Sequence, residues 1–555
     1  MLKRVGVQFG VMMLLAFVQS ATAQDYPRYR GAASTFVPLD SWVYPALERL
    51  VALGYVNTAM TGMKPWTRTE CARLVDEARD TMTERIRSDE RVHETAAGLH
   101  ARLEREFLFE LEVLGGGRTR SAQVESVYAR VLSISGPPLT DGFHFGQTVA
   151  YDFGRPFRRG TNAIAGASAS ATAGPVAIYV RGEYQHAPSA PPLSDAVLDF
   201  ISDTDRTPRQ AAQLFEPVRR GQLLDAYVTL NWKNWQISAG RQSLSWGPGE
   251  GSLLLSHNAP PLDMVRVTRV LPMRLPGFLA RLGPIRTDNF IARQRGNIFI
   301  PNPVLFGQKI SFKPTPYLEF GIGRIIQLGG SGSGNPLTLG NFARSYFGAP
   351  VRGTVPGDNR AGLDWSFTIP GLDNYVVLYV DGFAEDDHIP YSHPTRSVFR
   401  PGIHLTRIPG AARFDLRLEA ATSESPGIEF GPQFNYWNFQ YRDGHTNEGQ
   451  LMGNTVGRKG RTLRVWSNYF VSAHQVLQFS FKHSQVSRDF MPGGANWQDY
   501  RVRHDWHLRS GLYVRSQLQF ERIGRYPLLF PGARSNVTTM IELGFVPERS
   551  VAARP

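Results

Sequence analysis

The hydrophobic pattern of the chain changes its period near residue 118, and this change limits the folds available to it. Up to that point apolar residues recur at helical spacing, whereas from 118 to 547 apolar and polar residues alternate in segment after segment. In residues 413–420, for example, Phe414 and Leu416 alternate with Asp415 and Arg417. The same alternation occurs in residues 178–185, 226–232 and 512–521. A period of two is typical of β-strands that have one apolar and one polar face.

Two architectures can use such strands. A sandwich turns the apolar faces inward, whereas a transmembrane barrel turns them outward to lipid and lines a wet lumen with the charges. The barrel is favoured because strand-like segments continue to residue 547, because many polar faces carry paired charges, and because aromatic residues recur near strand ends. No run of about 18 or more apolar residues follows residue 24, so no transmembrane helix is predicted. The number of segments predicts roughly 16 to 20 strands.

Residues 24–117 are predicted to form a helical bundle. Asp40 or Ser41 can cap a first helix that stops at Gly54. Thr67 and Glu70 form a capping box at the start of a second helix, because each side chain can satisfy a free backbone amide. A third helix is predicted from about residue 89 to residue 114. Its apolar stripe consists of Val92, Ala96, Leu99, Leu103, Phe107 and Leu111.

The first residues have the pattern of an export signal. Lys3 and Arg4 precede an apolar stretch from 5 to 18, and Ala21–Ala23 forms a small-x-small cleavage motif, so residues 1–23 are predicted to be a signal peptide. A membrane anchor is the alternative, but the apolar stretch is short for a span. Cys71 is the single cysteine of the chain, which therefore has no internal disulfide, and its place in a helical apolar row predicts a packing role.

The formal net charge is +13, and Lys3 and Arg4 supply two of these charges. A basic balance fits nucleic acid, anionic lipopolysaccharide or an acidic polymer. Export makes nucleic acid an improbable partner, and no zinc-ligand spacing or RNA-binding sheet motif is present. An acidic glycan is a physically reasonable partner, and a solvated basic surface without a specific partner is the alternative.

Two long segments and the chain's end depart from the strand pattern. Residues 187–220 and 329–359 are rich in Pro, Gly, Ser and Asp and are predicted to be long loops, which in barrels lie on the extracellular side. Residues 539–545 alternate as a final barrel strand should, but the tail 548–555 continues beyond it. Many outer-membrane barrels instead finish on an aromatic residue.

Motifs for catalysis are absent from the sequence. There is no G-x-S-x-G elbow, no H-E-x-x-H motif and no P-loop. The acidic run Glu385–Asp387 with His388 could bind a hard cation, but a solvated hairpin turn is the favoured interpretation. Asp415 and Glu419 could suggest glycoside hydrolysis, yet their alternation with arginines predicts a charge-compensated lumen wall. We therefore predict no enzymatic activity, no cofactor and no metal site.

The run from Gly240 to Pro261 combines a strand end, a Gly/Pro-dense turn around Trp246, an apolar triplet at 253–255 and a polar corner at His257–Asn258. This run resembles the signature of the capsule assembly protein family called Wzi. Further blocks follow in the family's order between about residues 120 and 545. They are Pro303–Gly307, Leu318–Gly321 with Arg324, Asn359–Asp364, and Gly453–Asn454 with Gly457 and Arg461. The segment Trp42–Leu50 is similar to the helical periplasmic portion of family members.

The resemblance implies an all-β transmembrane barrel of about 18 antiparallel strands with an N-terminal periplasmic α-helical bundle. The expected organisation is a signal peptide in 1–23, a periplasmic helical region in 24–117, an outer-membrane barrel in 118–547 and a C-terminal tail in 548–555. The implied function is lectin-like binding of capsular or other extracellular polysaccharide, in contact with outer-membrane lipids. A general or anion-preferring diffusive porin and an outer-membrane hydrolase remain alternatives.

Two clusters carry the chemistry that sugar binding needs, which is aromatic rings for stacking and planar polar groups for hydroxyls and carboxylates. The first cluster is Arg241, Trp246, His257 and Asn258, and the second is Trp437, Tyr441, Arg442 and His445, followed by Asn447. For Trp246 the alternative is a turn-shaping role in an interfacial aromatic belt. For the second cluster the alternative is a belt or loop-packing role.

Overall fold

The computed structural model describes residues 29, 31–349, 355–372, 375–386, 397–424, 435–508 and 510–547. Over this part of the chain, 18 antiparallel strands form one closed barrel, as predicted. The strands are β1 Arg120–Ile134, β2 Gly160–Ala173, β3 Val176–Ala187, β4 Val218–Trp232, β5 Trp235–Gln242, β6 Leu262–Arg269, β7 Ile285–Arg293, β8 Val304–Thr315, β9 Leu318–Leu328, β10 Asp358–Thr368, β11 Val376–Glu385, β12 Ser397–Leu405, β13 Phe414–Thr422, β14 Gly460–Ser472, β15 Gln475–Val486, β16 Ala495–His507, β17 Leu512–Arg525 and β18 Arg534–Phe545.

The apolar faces of the strands point outward, which distinguishes a barrel in lipid from a sandwich. In β3, Ile178 and Tyr184 are 47% and 51% exposed, whereas Arg181 and Glu183 point inward and are buried. The barrel closes where β18 pairs with β1, from Val127 opposite Phe545 to Ile134 opposite Thr538. The predicted signal peptide in 1–23, the tail in 548–555, and Asp387 and His388 lie outside the described residues.

The two ends of the barrel differ in their connections. At one end, the turn end, β2–β3, β4–β5, β8–β9 and β14–β15 are joined by two-residue turns. At the other, the loop end, long segments follow β1, β3, β5, β9 and β13. Two of these segments contain helices that the Gly- and Pro-rich composition did not predict, α5 (Asp195–Asp205) in residues 187–220 and α6 (Leu339–Phe347) in residues 329–359.

Four helices, α1 (Val43–Ala52), α2 (Arg68–Arg87), α3 (Glu94–Glu106) and α4 (Leu108–Leu114), lie against the turn end. There the Ala33 amide donates to the Gly174 carbonyl at 2.8 Å, and Arg102 Nη1 donates to the Ala473 carbonyl at 3.1 Å. Their shared core includes the buried Cys71, as predicted. In the described residues no helix has the length and apolar character needed to cross a membrane.

The helix caps agree only in part with the sequence pattern. Thr67 caps α2 by accepting a bond from the Glu70 amide at 3.1 Å, as predicted. The Glu70 carboxylate, however, pairs with Arg73 instead of reaching back to Thr67. At α1 the cap position is Trp42, and the predicted cap Ser41 contributes by accepting from the Val43 amide at 3.3 Å, whereas Asp40 is bonded by Arg181 at 2.8 Å. The predicted third helix is two helices, since the backbone leaves helical geometry at Phe107.

The lumen is filled by three segments, which we call the plug: residues 58–66 from the helical region, 243–261 between β5 and β6, and 435–456 between β13 and β14. The first two pair as a short antiparallel ladder, with Met63 opposite Trp246. The second and third meet where Ser256 donates from its amide to the Met452 carbonyl at 2.6 Å. Together they form one apolar cluster with inward residues of the barrel wall.

Candidate functional site

Trp246 lies at the centre of the plug and not in an interfacial belt. Its ring is 1% exposed and packs against Phe290 at 5.4 Å, and its Nε1 donates to Asp288 Oδ2 at 3.1 Å. Asp288 is held in turn by Arg266 through bonds of 2.6 and 2.9 Å. The indole is therefore covered on its faces and is held by a buried ion pair, so it stabilises the plug and offers no free surface for stacking.

The polar corner after Trp246 clamps two chain segments together. Asn258 accepts from the Tyr151 amide at 3.0 Å and donates to Gln147 Oε1 at 2.7 Å and to the Leu451 carbonyl at 3.0 Å. His257 packs beside Tyr151 at 5.9 Å and faces a lumen cavity of about 350 Å³. Burial lowers the pKa of the His257 imidazole, so this ring is neutral at physiological pH.

Arg241 links the first cluster to the third plug segment. Its guanidinium donates to Glu448 Oε1 at 2.9 Å and lies 3.5 Å from Asp263 Oδ1. Two carboxylates thus neutralise this cation, and its Nη1 donates to the Leu223 carbonyl at 3.1 Å. Arg241 therefore joins the barrel wall to the plug.

His445 is fully buried within the plug. Its Nε2 lies 2.9 Å from the Leu254 carbonyl, and its ring stacks on Tyr436 with centroids 6.0 Å apart. Burial, with the positive charge of Arg360 nearby, holds the pKa of the imidazole well below its usual range. A neutral His445 suits its packing role, and no ligand can reach it without displacing the plug.

The remaining residues of the second cluster approach the surface at the loop end. Trp437 is 9% exposed and lies under the Arg206 guanidinium at 5.6 Å. Arg442 is half-buried, and its Nη1 donates to the Arg206 carbonyl at 2.5 Å. Tyr441 is buried and donates to the Gly329 carbonyl at 3.1 Å. The two arginines thus form a basic surface over the buried Trp437, beside the end of α5.

An open groove of about 490 Å³ lies next to this surface, and we call it the loop-end groove. It is lined by Phe299, Ile300, Gly332, Ser333, Asn335, Val355, Phe439, Gln440 and Arg442. Phe439 is 62% exposed. An exposed ring bordered by amides and a guanidinium has the chemistry to stack on a sugar face, bond its hydroxyls and attract a carboxylate.

The groove is built on braced loops. Gln440 Nε2 donates to the Ser333 carbonyl at 2.6 Å, which joins the β13–β14 segment to the β9–β10 segment. Asp443 accepts from the Ile298 and Phe299 amides at 3.1 and 2.7 Å, which fixes the β7–β8 segment. Burial raises the pKa of the Asp443 carboxyl, although these two amide bonds oppose the shift. The groove is therefore held in shape by its own hydrogen bonds.

A charged network anchors α5 beside the groove. The His144 ring bridges Asp141 Oδ2 at 2.7 Å and Asp205 Oδ2 at 2.9 Å, and Arg458 also pairs with Asp205. Burial alone would lower the pKa of His144, but the two carboxylates outweigh it and raise the pKa to about 9. Asp205 is the last residue of α5 and precedes Arg206, so the network sets the position of the basic surface.

The sequence pattern missed Phe439, Gln440, Asn335 and Arg206. Phe439 and Gln440 lie inside the second cluster but were overlooked because an isolated Phe has no motif. Asn335 lies in the long loop that composition did identify as functional or flexible. Within the described residues no three His, Cys, Asp or Glu side chains are placed to hold a metal ion.

Comparisons with known proteins agree with this architecture. A family model described as "Capsule assembly protein Wzi" matches residues 130–534. A Klebsiella pneumoniae protein described as an uncharacterized 55.8 kDa protein in the cps region is 28% identical over 178 residues, which is 31% of this chain and only 34% of that protein. The solved structure of Wzi from Escherichia coli, an outer-membrane protein involved in group 1 capsule assembly and a carbohydrate-binding β-barrel, is 17% identical. It superposes with a TM-score of 0.65 over 94% of this chain and 100% of that one.

Proposed function

Because the chain belongs to the capsule assembly protein Wzi family, we propose that it is a non-enzymatic outer-membrane protein that binds capsular or similar extracellular polysaccharide at the cell surface. In the proposed outer-membrane location, the loop end is extracellular and the turn end, with α1–α4, is periplasmic. The observation that carries the proposal is the loop-end groove with the exposed ring of Phe439 on its wall.

The chemistry of the groove suits a long, acidic glycan. Phe439 offers a stacking face, Asn335 and Gln440 offer amides, and Arg442 with Arg206 offers positive charge. Each such contact to one sugar is weak, but a repeating polymer presents the same unit many times, so retention comes from multivalency. The groove is open to solvent, as the binding of a chain-like ligand requires.

The filled lumen argues against the diffusive porin. Trp246, Leu253 and Leu254 pack in the centre of the barrel with inward wall residues such as Ile325. Ions crossing the barrel would have to displace this apolar cluster. The hydrolase alternative has little support, because many of the inward carboxylates are paired with cations, as in Glu419 with Arg400 at 2.9 Å.

A binding experiment with purified protein tests the proposal. Polysaccharide extracted from the surface of the producing cells is passed over immobilised protein, and retention is compared for wild type, Phe439→Ala and Arg442→Ala. Loss of the stacking face should weaken each site by about fivefold, because such contacts contribute about 1 kcal/mol. Leu214→Ala is the matched control, since Leu214 is 55% exposed on a different loop. Equal retention by all four proteins would contradict the groove as the binding site.

A second experiment tests the role in the cell. Deletion of the gene should move extracellular polysaccharide from the cell-bound fraction to the medium while its total stays constant. An unchanged partition would contradict the surface-lectin function and would favour the porin.

A further inference from the structure

Helix α6 lies on the outside of the barrel wall. The side chains of Lys309 and Glu319 point into the lumen, where they bond Gly62. Because strand residues alternate, Gln308 and Arg324, which are paired across β8 and β9, point outward. Both outward side chains are nevertheless buried, and α6 is the element that covers them.

The contacts of α6 with the wall are specific. Arg324 donates to the Tyr346 and Ser345 carbonyls at 2.6 and 3.1 Å, and so caps the C-terminal end of the helix. Tyr346 donates from its hydroxyl to Gln308 Oε1 at 2.8 Å, and Phe342 packs on Phe306 at 4.9 Å. An arginine side chain that faced lipid would cost free energy, so α6 stabilises the wall by covering Arg324, and Arg324 stabilises the end of the helix.

The opposite face of α6 has no protein against it among the described residues, and it is apolar. Leu339 is 83% exposed and Phe347 is 41% exposed. The outward wall residues beside α6 are also aliphatic and exposed. Ile291, 56% exposed, pairs across the sheet with the Phe306 on which Phe342 packs, and Ile322, 46% exposed, lies two residues before Arg324 on β9. Arg344, on the same helix, is exposed toward solvent.

We propose that α6 is an interfacial anchor that binds the anionic glycolipid of the outer leaflet, with its apolar face against acyl chains and Arg344 at the phosphorylated headgroups. This inference rests on the proposed location in the outer membrane. The exposed aliphatic residues of the wall beside α6 identify lipid as the occupant of its apolar face. A nine-residue helix presents a face of about 13 by 10 Å, far below the roughly 800 Å² per partner of a stable protein interface, which disfavours a second copy.

A depth measurement tests the anchor on the full chain. Leu339→Cys is labelled with an environment-sensitive fluorophore, and the protein is reconstituted in vesicles of phosphatidylcholine and phosphatidylglycerol that contain lipids with a doxyl quencher. The buried Cys71 remains unlabelled, which the wild-type protein verifies. We expect at least a twofold loss of fluorescence for the label at Leu339. A label in Leu214→Cys, exposed on a solvent-facing loop, should keep its fluorescence.

A third variant separates the two proposals. Val228 is 44% exposed in the middle of the lipid-facing band, so a label in Val228→Cys must be quenched if the barrel lies in the membrane. No quenching at Val228 would overturn the membrane location itself. Quenching at Val228 with none at Leu339 would overturn only the anchor. A label at Leu339 that is unquenched at high protein density and becomes quenched as the protein is diluted in lipid would identify a second copy as the occupant and would also overturn the anchor.

Discussion

The charged network around His144, which we call the latch, should break at alkaline pH. Its loss should release α5 and displace the basic surface that the end of α5 helps to form. His144 joins Asp141 and Asp205, and its pKa is raised from 6.5 to about 9 in the folded protein. A group whose folded pKa is raised stabilises the fold fully below its unfolded pKa, and this stabilisation disappears as the pH rises through the folded pKa. The latch should therefore be closed below about pH 7 and lost above about pH 9.

The magnitude follows from these two pKa values. Between about pH 7 and about pH 10 the protonated imidazole loses about 2.5 kcal/mol of favourable free energy, as an upper bound. This corresponds to about a 70-fold increase in the equilibrium constant for the release of α5. The His144→Gln variant removes the charge at every pH, so its α5 segment should be released already at neutral pH and should show little further response to alkali.

Limited proteolysis with trypsin measures this release. Arg209 follows α5 and its exposed side chain is tied to the helix by Asp195 and Asp199, so trypsin should reach the backbone around it only once α5 is released. Arg274 and Arg281 at the turn end are far from the latch and provide reference sites. When opening and closing are fast, cleavage follows the open population, so cleavage after Arg209 relative to the reference sites should rise with pH in wild type. His483→Gln is the control variant. Wild-type cleavage after Arg209 that is constant from about pH 7 to about pH 10 would refute the argument.

Two further predictions concern the plug. Trp246→Ala should lower the free energy of unfolding by about 3–5 kcal/mol, because it empties a site that is 1% exposed. Trp246→Phe should lower it by about 1–3 kcal/mol, because it leaves Asp288 without one donor. Thermal unfolding in detergent compares the two variants with the wild type, and equal midpoints for all three proteins would contradict the packing role. In planar bilayers the wild-type barrel should pass little current, and replacement of residues 244–258 by a short turn should produce discrete conductance steps; large steps in wild type would instead support a porin.

The strand pattern predicted the barrel because each strand's environment is decided locally. Alternation in residues 178–185 placed Arg181 and Glu183 on one face and Ile178 on the other, and this is how β3 is oriented. The two helices of the long segments could not be predicted in the same way. Helix α6 is held by Arg324 and Gln308, which lie on strands that precede it, so its stability is tertiary. Both helices did carry a local signal, since Ser194 caps α5 by accepting from the Val197 amide and Thr338 caps α6 by accepting from the Asn341 amide, but nearby prolines obscured it.

At the candidate site, the sequence predicted which types of residue are present but could not predict which of them are exposed. Aromatic and polar residues do concentrate at Trp246 and at Trp437, but Trp246 is covered by Met63 and Phe290, whose sequence positions give no hint of this contact. The buried members of the two clusters nevertheless bear on binding. Because His445 and Asn258 lock the plug, the loops that carry Phe439 rest on a rigid base. A preformed groove loses less conformational entropy when a polymer binds, so the residues that fill the lumen contribute to affinity without touching the ligand.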